Sequence, residues 1–457
     1  MGKYHFIAIG GSAMHNLALA LHEQGHQVSG SDDEIYEPSR SRLKEAGLLP
    51  PQVGWFPEKI TPDLDGIILG KHAHADNPEL QRAKELGLKI YSYPSFLYEH
   101  AKDKKRIVIG GSHGKTTTTS MLLHALRQAG LDTDFMVGSQ IKGFDRPLRL
   151  SAEAPMMVLE GDEYPTSALD MRPKFFLYQP HIAVLTGVAL DHINVFKDWE
   201  TYKEQFRRFI DEYIRPGGIL IYNSEDETLR ELAGRRKDIT YIPYQTPDYE
   251  VKDRRFYVLH NGKAFPMKVF GAHNMQNMAA AAEVAALLGI DREDFYRFMT
   301  GFEGASLRLE PIYAKDNKII IRDFAHAPSK VKASVKAVRE MYPDLPLKAV
   351  LELHTYSSLN KRFIPEYRGA LDPADVAAVF YSPHAVAIKR LEPVEPSFIK
   401  EAFGRPDLQV FTSPADFHAW LFEQLAAPCV LLLMSSGNLG GLDLEKLKQQ
   451  CDALSSS

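Results

Sequence analysis

RIVIGGSHGKTTTTSMLLHAL, residues 106–126, carries an apolar run, a glycine loop and a helical pattern without interruption. Arg106 to Ile109 is short, β-branched and apolar, as a buried strand is. The loop Gly110 to Thr119 follows, and Met121, Leu122, Ala125 and Leu126 then fall on one helical face. Strand, glycine turn and helix in that order predict an α/β fold with parallel strands and crossover helices. Within the loop, glycines let backbone N–H groups wrap an anion and the helix N-terminus attracts it. Lys115 adds a cation, and the Thr116 hydroxyl can ligate Mg²⁺. The residue six before Lys115 is Ile109, so the loop is one residue shorter than the usual triphosphate-binding form. The bland alternative is a glycine turn with an incidental Lys-Thr pair; the flanking strand and helix favour ATP or GTP.

The same alternation continues on both sides. Upstream, a strand is expected at Tyr4 to Ile9, a helix after Gly11 and a strand at Gln27 to Ser31, with the charged stretch Lys102 to Arg106 closing the block. The block beginning at Arg106 runs to about Gly304. A third block starts with Ile319 to Ile321, continues through a helix at Lys330 to Met341 and a strand at Ala349 to Leu353, and ends with strand Val430 to Met434 and a last helix. The expectation is three α/β domains, residues 1–105, 106–305 and 306–457.

Composition removes other classes. Lys plus Arg is 54 against 59 for Asp plus Glu, a net charge of −5 that offers no cationic surface for a nucleic-acid backbone. The two cysteines, Cys429 and Cys451, cannot build a disulfide framework or a cysteine-rich zinc site, and they fit a reducing cytoplasm. MGKYHFIAIGGSAM reads as a strand entering a glycine turn rather than a signal peptide. Apolar runs such as Val430 to Met434 fall far short of the ~20 residues that span a bilayer. No feature of the sequence sets an oligomeric state.

Further candidates sit at strand ends, which face the ligand crevice in α/β sheets. MMVLEGDEY places Glu160 and Asp162 after an apolar strand, Met156 to Leu159. LTGVALDHINVF places Asp191 and His192 after another, Ile182 to Leu185. Mg²⁺ prefers oxygen, so His192 read alone is as readily a structural residue as a ligand. Gly10, Gly11 and Ser12 precede a helix and could hold a pyrophosphate, and Asp32 in SGSD could accept from ribose or uridine hydroxyls or cap the next turn. Asn274 and Asn277, near a helix start, could pair with an adenine edge, or cap the helix.

GSHGKTTTT, LEGDEY, DHINVF, GAHNMQNMAAA and DFAHAPSKV occur in the order found in Mur ligases, and the chain resembles that family from its first strand to MSSGNLGG. The resemblance implies a Rossmann-like N-terminal domain for a UDP-sugar, a P-loop central domain for ATP and a Rossmann-like C-terminal domain for the amine substrate. It implies that ATP converts a UDP-muramyl carboxylate to an acyl phosphate, which an amine then attacks. Gly111, Ser112, His113, Gly114, Lys115, Thr116 and Thr117 would hold the phosphates, with Asn274 and Asn277 at adenine. Arg308 would approach the γ-phosphate, Asp323 the ribose or metal shell, and His326 the reaction centre. Thr116, Glu160 and His192 would hold Mg²⁺, and Gly10, Gly11, Ser12 and Asp32 the UDP-N-acetylmuramate.

The segment DMRPKFFLYQP resembles family members whose amine is the tripeptide L-alanyl-γ-D-glutamyl-meso-diaminopimelate, used in cell-wall recycling. His354 and Tyr356 resemble those that add L-alanine, but Thr355 stands where they have arginine. Asn194 and Ala327 also depart from the family pattern, replacing an acid and a second histidine. A Mur-like binding protein without joining chemistry is the alternative; the intact set Lys115, Thr116, Glu160, His192 and Arg308 favours the enzyme.

Overall fold

Residues 105–110 form a strand and residues 115–128 a helix, so the opening segment folds in the expected order, with the helix taking residues 115–119 of the expected loop. A computed structural model describes residues 1–71, 73–141, 143–167, 170–189, 196, 198–304 and 308–455. Among these the strands form four sheets.

The first contains β1 (Lys3–Ile7), β2 (Gln27–Ser31), β3 (Gly66–Leu69) and β4 (Ile90–Ser92), all parallel in the order β2-β1-β3-β4. The second contains β5 (Lys105–Gly110), β6 (Asp134–Met136), β7 (Leu148–Arg149), β8 (Met156–Glu160), β9 (Ile182–Leu185), β10 (Ile219–Asn223) and β11 (Thr240–Tyr244). Its order is β11-β10-β9-β5-β8-β6-β7, parallel except for the β6–β7 pair. Strand β5 lies between β8 and β9, where the chain winds first one way and then the other. Ligands of open α/β sheets bind outside the carboxyl ends of strands at such a reversal. Ile107, Val108 and Ile109 are fully buried there, each contributing about 1.5–3 kcal/mol of apolar burial, which fixes the loop that follows.

The third sheet departs from the expected alternation. β12 (Tyr249–Lys252), β13 (Arg255–His260) and β14 (Lys263–Met267) form an antiparallel meander. Its two-residue turns are Asp253-Arg254 and Asn261-Gly262, all four at positive φ, the geometry that matches strand twist and leaves no room for a crossover helix. The fourth sheet contains β15 (Glu310–Lys315), β16 (Lys318–Asp323), β17 (Leu347–Leu353), β18 (Val376–Tyr381), β19 (Gln409–Phe411) and β20 (Cys429–Met434). Its order is β15-β16-β20-β17-β18-β19, antiparallel only at β15–β16. The first two sheets belong to one compact unit, residues 1–188, 203–244 and 283–290; the last two belong to a second, residues 189–202, 245–282 and 291–457. No helix among the described residues is long and apolar enough to cross a membrane.

β1 ends two residues before Ile9, because Ala8 takes φ +69° and breaks the extended run. The charged stretch at residues 102–106 is buried in part. Lys104 and Arg106 are buried. Arg106 donates to the carbonyls of Tyr178, Ala101 and Lys102 at 2.7–2.9 Å. Lys104 Nζ lies 2.6 Å from the fully buried Asp134, which also meets His100 Nε2 at 2.8 Å and the Ser151 hydroxyl at 2.9 Å. Burial raises the Asp134 pKa, but the His100 and Lys104 hydrogen bonds outweigh it and the net shift is downward. Lys104→Met leaves a buried carboxylate short of its cation, at a cost of about 3–5 kcal/mol. The variant is expected to melt roughly 10 °C lower at neutral pH, with the deficit shrinking as Asp134 protonates in acid. An unchanged melting temperature would contradict the pairing.

Candidate functional site

The phosphate-type loop is residues 111–114, since β5 runs through Gly110 and the helix Lys115–Gln128 begins at once. That extra strand residue is why Ile109, buried and paired with Glu160 and Val184, stands where the longer loop form has glycine. Gly114 caps the helix at φ +79°, a left-handed conformation that glycine adopts without cost. Gly111, at φ +130°, approaches β9 so closely that a Cβ would lie 2.2 Å from Thr186 Oγ1. The Thr186 hydroxyl in turn sits 3.1 Å from the Gly110 carbonyl and also bonds the His113 carbonyl. The Ser112 N–H donates to the Gly187 carbonyl at 2.9 Å, so this amide is spent on holding the loop. The first N–H groups of the helix, at Lys115, Thr116 and Thr117, have no intrahelical acceptor and are the natural anion donors.

Carboxylates from the end of β8 surround the loop. The Thr116 hydroxyl lies 2.9 Å from Glu160 Oε1, and Glu160 Oε2 accepts the Gly138 N–H at 2.8 Å. Lys115 Nζ donates to the Gly111 carbonyl and pairs with Glu163 at 3.1 Å. Asp162 accepts from Lys174 Nζ at 2.8 Å and from the Tyr164 N–H at 3.0 Å. Burial pulls the Lys115 pKa down, but the charges of Glu163, Asp162 and Glu160 overcome it and the net shift is upward. Burial pushes Asp162 up, and Lys174 and Lys115 more than reverse that.

The hard oxygens of Thr116 and Glu160 fit Mg²⁺. Among the described residues no three His, Cys, Asp or Glu side chains converge as a cage, and Mg²⁺ commonly takes only one or two protein oxygens, the rest coming from water and phosphate. His192, the other expected ligand, lies outside the described residues with Asp191 and Asn194. Sequence reading overlooked Glu163 and Lys174, although both stand inside motifs that it quoted.

In the first sheet, Gly10 and Gly11 follow β1 and Ser12 opens the helix Ser12–Glu23. The Gly10 N–H donates to Asp32 Oδ2 at 2.6 Å, so it is engaged by the acid expected to serve the sugar or base. Burial pushes the Asp32 pKa up to about 6, opposed by the Gly10 and Glu34 N–H groups and assisted by Asp33.

The second unit gathers Arg308, Asp323 and His326 around Phe324. The Arg308 guanidinium lies 5.2 Å from the Phe324 ring centre and the His326 ring packs edge-on at 5.3 Å. His326 Nδ1 meets the Phe324 carbonyl at 2.9 Å. Buried Asp323 accepts the Leu309 N–H at 3.2 Å and the Ser334 hydroxyl; burial raises its pKa despite those bonds and Arg308. Ala327 precedes the helix Pro328–Met341 at its N-cap. Asn274 and Asn277 are buried in the first turns of the helix Ala272–Leu287, and the Asn274 amide donates to the Phe270 carbonyl at 2.8 Å, so part of its donor capacity is already used. Asp323 also borders a cavity of about 370 Å³ with Arg322, Ser435, Asn438 and Asp443. Glu352, buried at the end of β17, shapes its rim by accepting the Ser435 hydroxyl and the Leu439 N–H at 2.8 Å, a role that its sequence neighbours did not reveal.

Comparison with known proteins agrees with this arrangement. Residues 3–105 match the "Mur ligase family, catalytic domain" and residues 109–285 the "Mur ligase middle domain". The UDP-N-acetylmuramate–L-alanine ligase of Aquifex aeolicus is 32% identical over 367 residues, 78% of each chain. The structure of a UDP-N-acetylmuramate:L-alanyl-γ-D-glutamyl-meso-diaminopimelate ligase from Neisseria meningitides has a TM-score of 0.59 at 28% identity, covering 66% of this chain and 98% of that one. That of a UDP-N-acetylmuramate–alanine ligase from Thermotoga maritima covers both chains fully at a TM-score of 0.69 and 20% identity, a likeness of fold. With its three-domain α/β layout and its phosphate-type loop, the chain belongs to the Mur ligase family, the ATP- and Mg²⁺-dependent enzymes that form amide bonds in peptidoglycan precursors.

Proposed function

We propose that the enzyme joins UDP-N-acetylmuramate to L-alanyl-γ-D-glutamyl-meso-diaminopimelate, in cytoplasmic recycling of cell-wall peptide. The observation that carries the choice of amine is position 355. A free amino acid offers its carboxylate next to the attacking amine, and a guanidinium there would hold it. Here Thr355 is turned into its own loop, its hydroxyl 2.9 Å from Ser358 Oγ and 3.1 Å from the Ser358 N–H. A tripeptide carries its carboxylates farther from the amine and has no use for a cation at that point. L-alanine is the second reading, favoured by His354, Tyr356 and the Aquifex relative.

In this reading the domains divide near residues 105 and 305. The helix N-terminus at Lys115–Thr117 and the Lys115 ammonium hold the phosphates, and Thr116 and Glu160 hold Mg²⁺, with His192 as a further ligand. Bound Mg²⁺ supplies charge neutralisation between two anions that must approach. Asn274 and Asn277 serve adenine, Arg308 and Asp323 the nucleotide, and His326 the reaction centre. The loop Gly10–Ser12 and Asp32 serve the UDP-sugar. The muramyl carboxylate leaves the site as an amide once its activated oxygen departs with phosphate.

Incubation with ATP, Mg²⁺ and UDP-N-acetylmuramate is expected to give the tripeptide amide by mass spectrometry, with L-alanine far poorer; efficient L-alanine product and no tripeptide product would exchange the two readings. Lys115→Ala is expected to cut turnover by about 100-fold or more, and undiminished turnover would remove Lys115 from the chemistry. Because a diphosphate beside Asp32 favours its protonated form, UDP-sugar affinity is expected to rise as pH falls from about 7.5 to about 5.5 and to flatten in Asp32→Asn. The same slope in both proteins would contradict that placement.

A further inference from the structure

Lys115 is already committed in this structure. Its ammonium group donates to the Gly111 carbonyl and lies 3.1 Å from Glu163, whose side chain is 1% exposed. Two of its three N–H groups are thereby used, and a phosphate that draws Lys115 away from the loop must part it from a buried carboxylate. The wider field points the same way. Glu160, Asp162 and Glu163 set three negative charges against the two ammonium groups of Lys115 and Lys174, one net negative charge among these five side chains. A bare nucleoside triphosphate meets repulsion there, and at a partly buried site such repulsion is weakly screened. A divalent cation held by the Thr116 and Glu160 oxygens would make that sum positive.

We propose that Glu163 makes nucleotide binding conditional on a divalent cation: it withholds Lys115 from metal-free nucleotide and yields it when metal charge arrives with the phosphates. Glu163 is thus a positioning residue that acts through Lys115. The proposal deepens the nucleotide reading of the loop and rests on it. The competing reading makes Glu163 a simple anchor for the lysine. An anchor, once removed, weakens nucleotide binding equally with and without metal. A gate, once removed, strengthens binding of the bare nucleotide.

The test is calorimetric titration of the full chain with ATP, in excess Mg²⁺ and in chelator, for wild type, Glu163→Gln and Glu163→Asp. Glutamine keeps the shape and removes the charge, and a melting curve verifies that the variant folds. Wild type is expected to bind ATP at least about 100-fold tighter with Mg²⁺. Glu163→Gln is expected to bind metal-free ATP about tenfold tighter than wild type with little change in Mg²⁺, so the ratio falls by about that factor. Glu163→Asp, which keeps the charge, is expected to retain the wild-type ratio. An unchanged ratio in Glu163→Gln, or a parallel loss of both affinities, overturns the gate and leaves the nucleotide site standing. Wild-type binding that ignores Mg²⁺ does the same. If wild type binds no ATP even with Mg²⁺, the reading of the loop fails and the gate falls with it.

Discussion

A partly buried ammonium group held between a backbone carbonyl and a carboxylate, at the carboxyl end of the central strand, is the constraint that the first unit is built around. Lys115 can occupy that place only because β5 is buried on both sides, with β8 delivering Glu160, Asp162 and Glu163 on one side and β9 delivering Thr186 and Gly187 on the other. The sheet order puts these two strand ends beside the loop, and the glycines let the loop lie close against them. Chemistry that brings a triphosphate to a carboxylate substrate needs fixed positive charge in a site with little water. Here three carboxylates, Glu160, Asp162 and Glu163, stand beside the two ammonium groups of Lys115 and Lys174, an arrangement that suits a site shared with a metal cation.

Much of this was legible in residues 106–126. Strand and helix fall where the apolar pattern predicts, although the helix begins at Lys115, inside the expected loop Gly110 to Thr119, and Gln27 to Ser31 and Ile182 to Leu185 match their strands residue for residue. Ile182 to Leu185 is a fully buried parallel strand, where apolarity and β-branching leave little choice, whereas Gln27 to Ser31 is a polar edge strand that follows from the alternation of strand and helix. The antiparallel sheet at residues 249–267 went unread although Asn261-Gly262 between alternating strands is a strong hairpin signal. The expectation of alternating helices ran over it. The burial of Lys104 and Arg106 in the charged stretch at residues 102–106 was not legible for another reason: charge in sequence does not tell solvent from a buried partner, and Asp134, which pairs with Lys104, lies thirty residues away.

The site divides in the same manner. Gly111 and Gly114 take the positive φ that a glycine loop calls for, and Thr116 turns its hydroxyl to Glu160. Glu163 and Lys174 emerge only when the fold brings them to their partners, 48 and 12 residues away in sequence. Asp32 and Gly10 show the converse: both were read as ligand groups, and the fold binds them to each other first.

The central claim is that this chain activates a carboxylate by phosphoryl transfer from ATP and then forms an amide. The most direct measurement follows oxygen. UDP-N-acetylmuramate labelled with oxygen-18 in its lactyl carboxylate is incubated with ATP, Mg²⁺ and the tripeptide, and the released phosphate is analysed by mass spectrometry. The account predicts one labelled oxygen in the phosphate for each amide formed. Unlabelled phosphate accompanying amide product would contradict it.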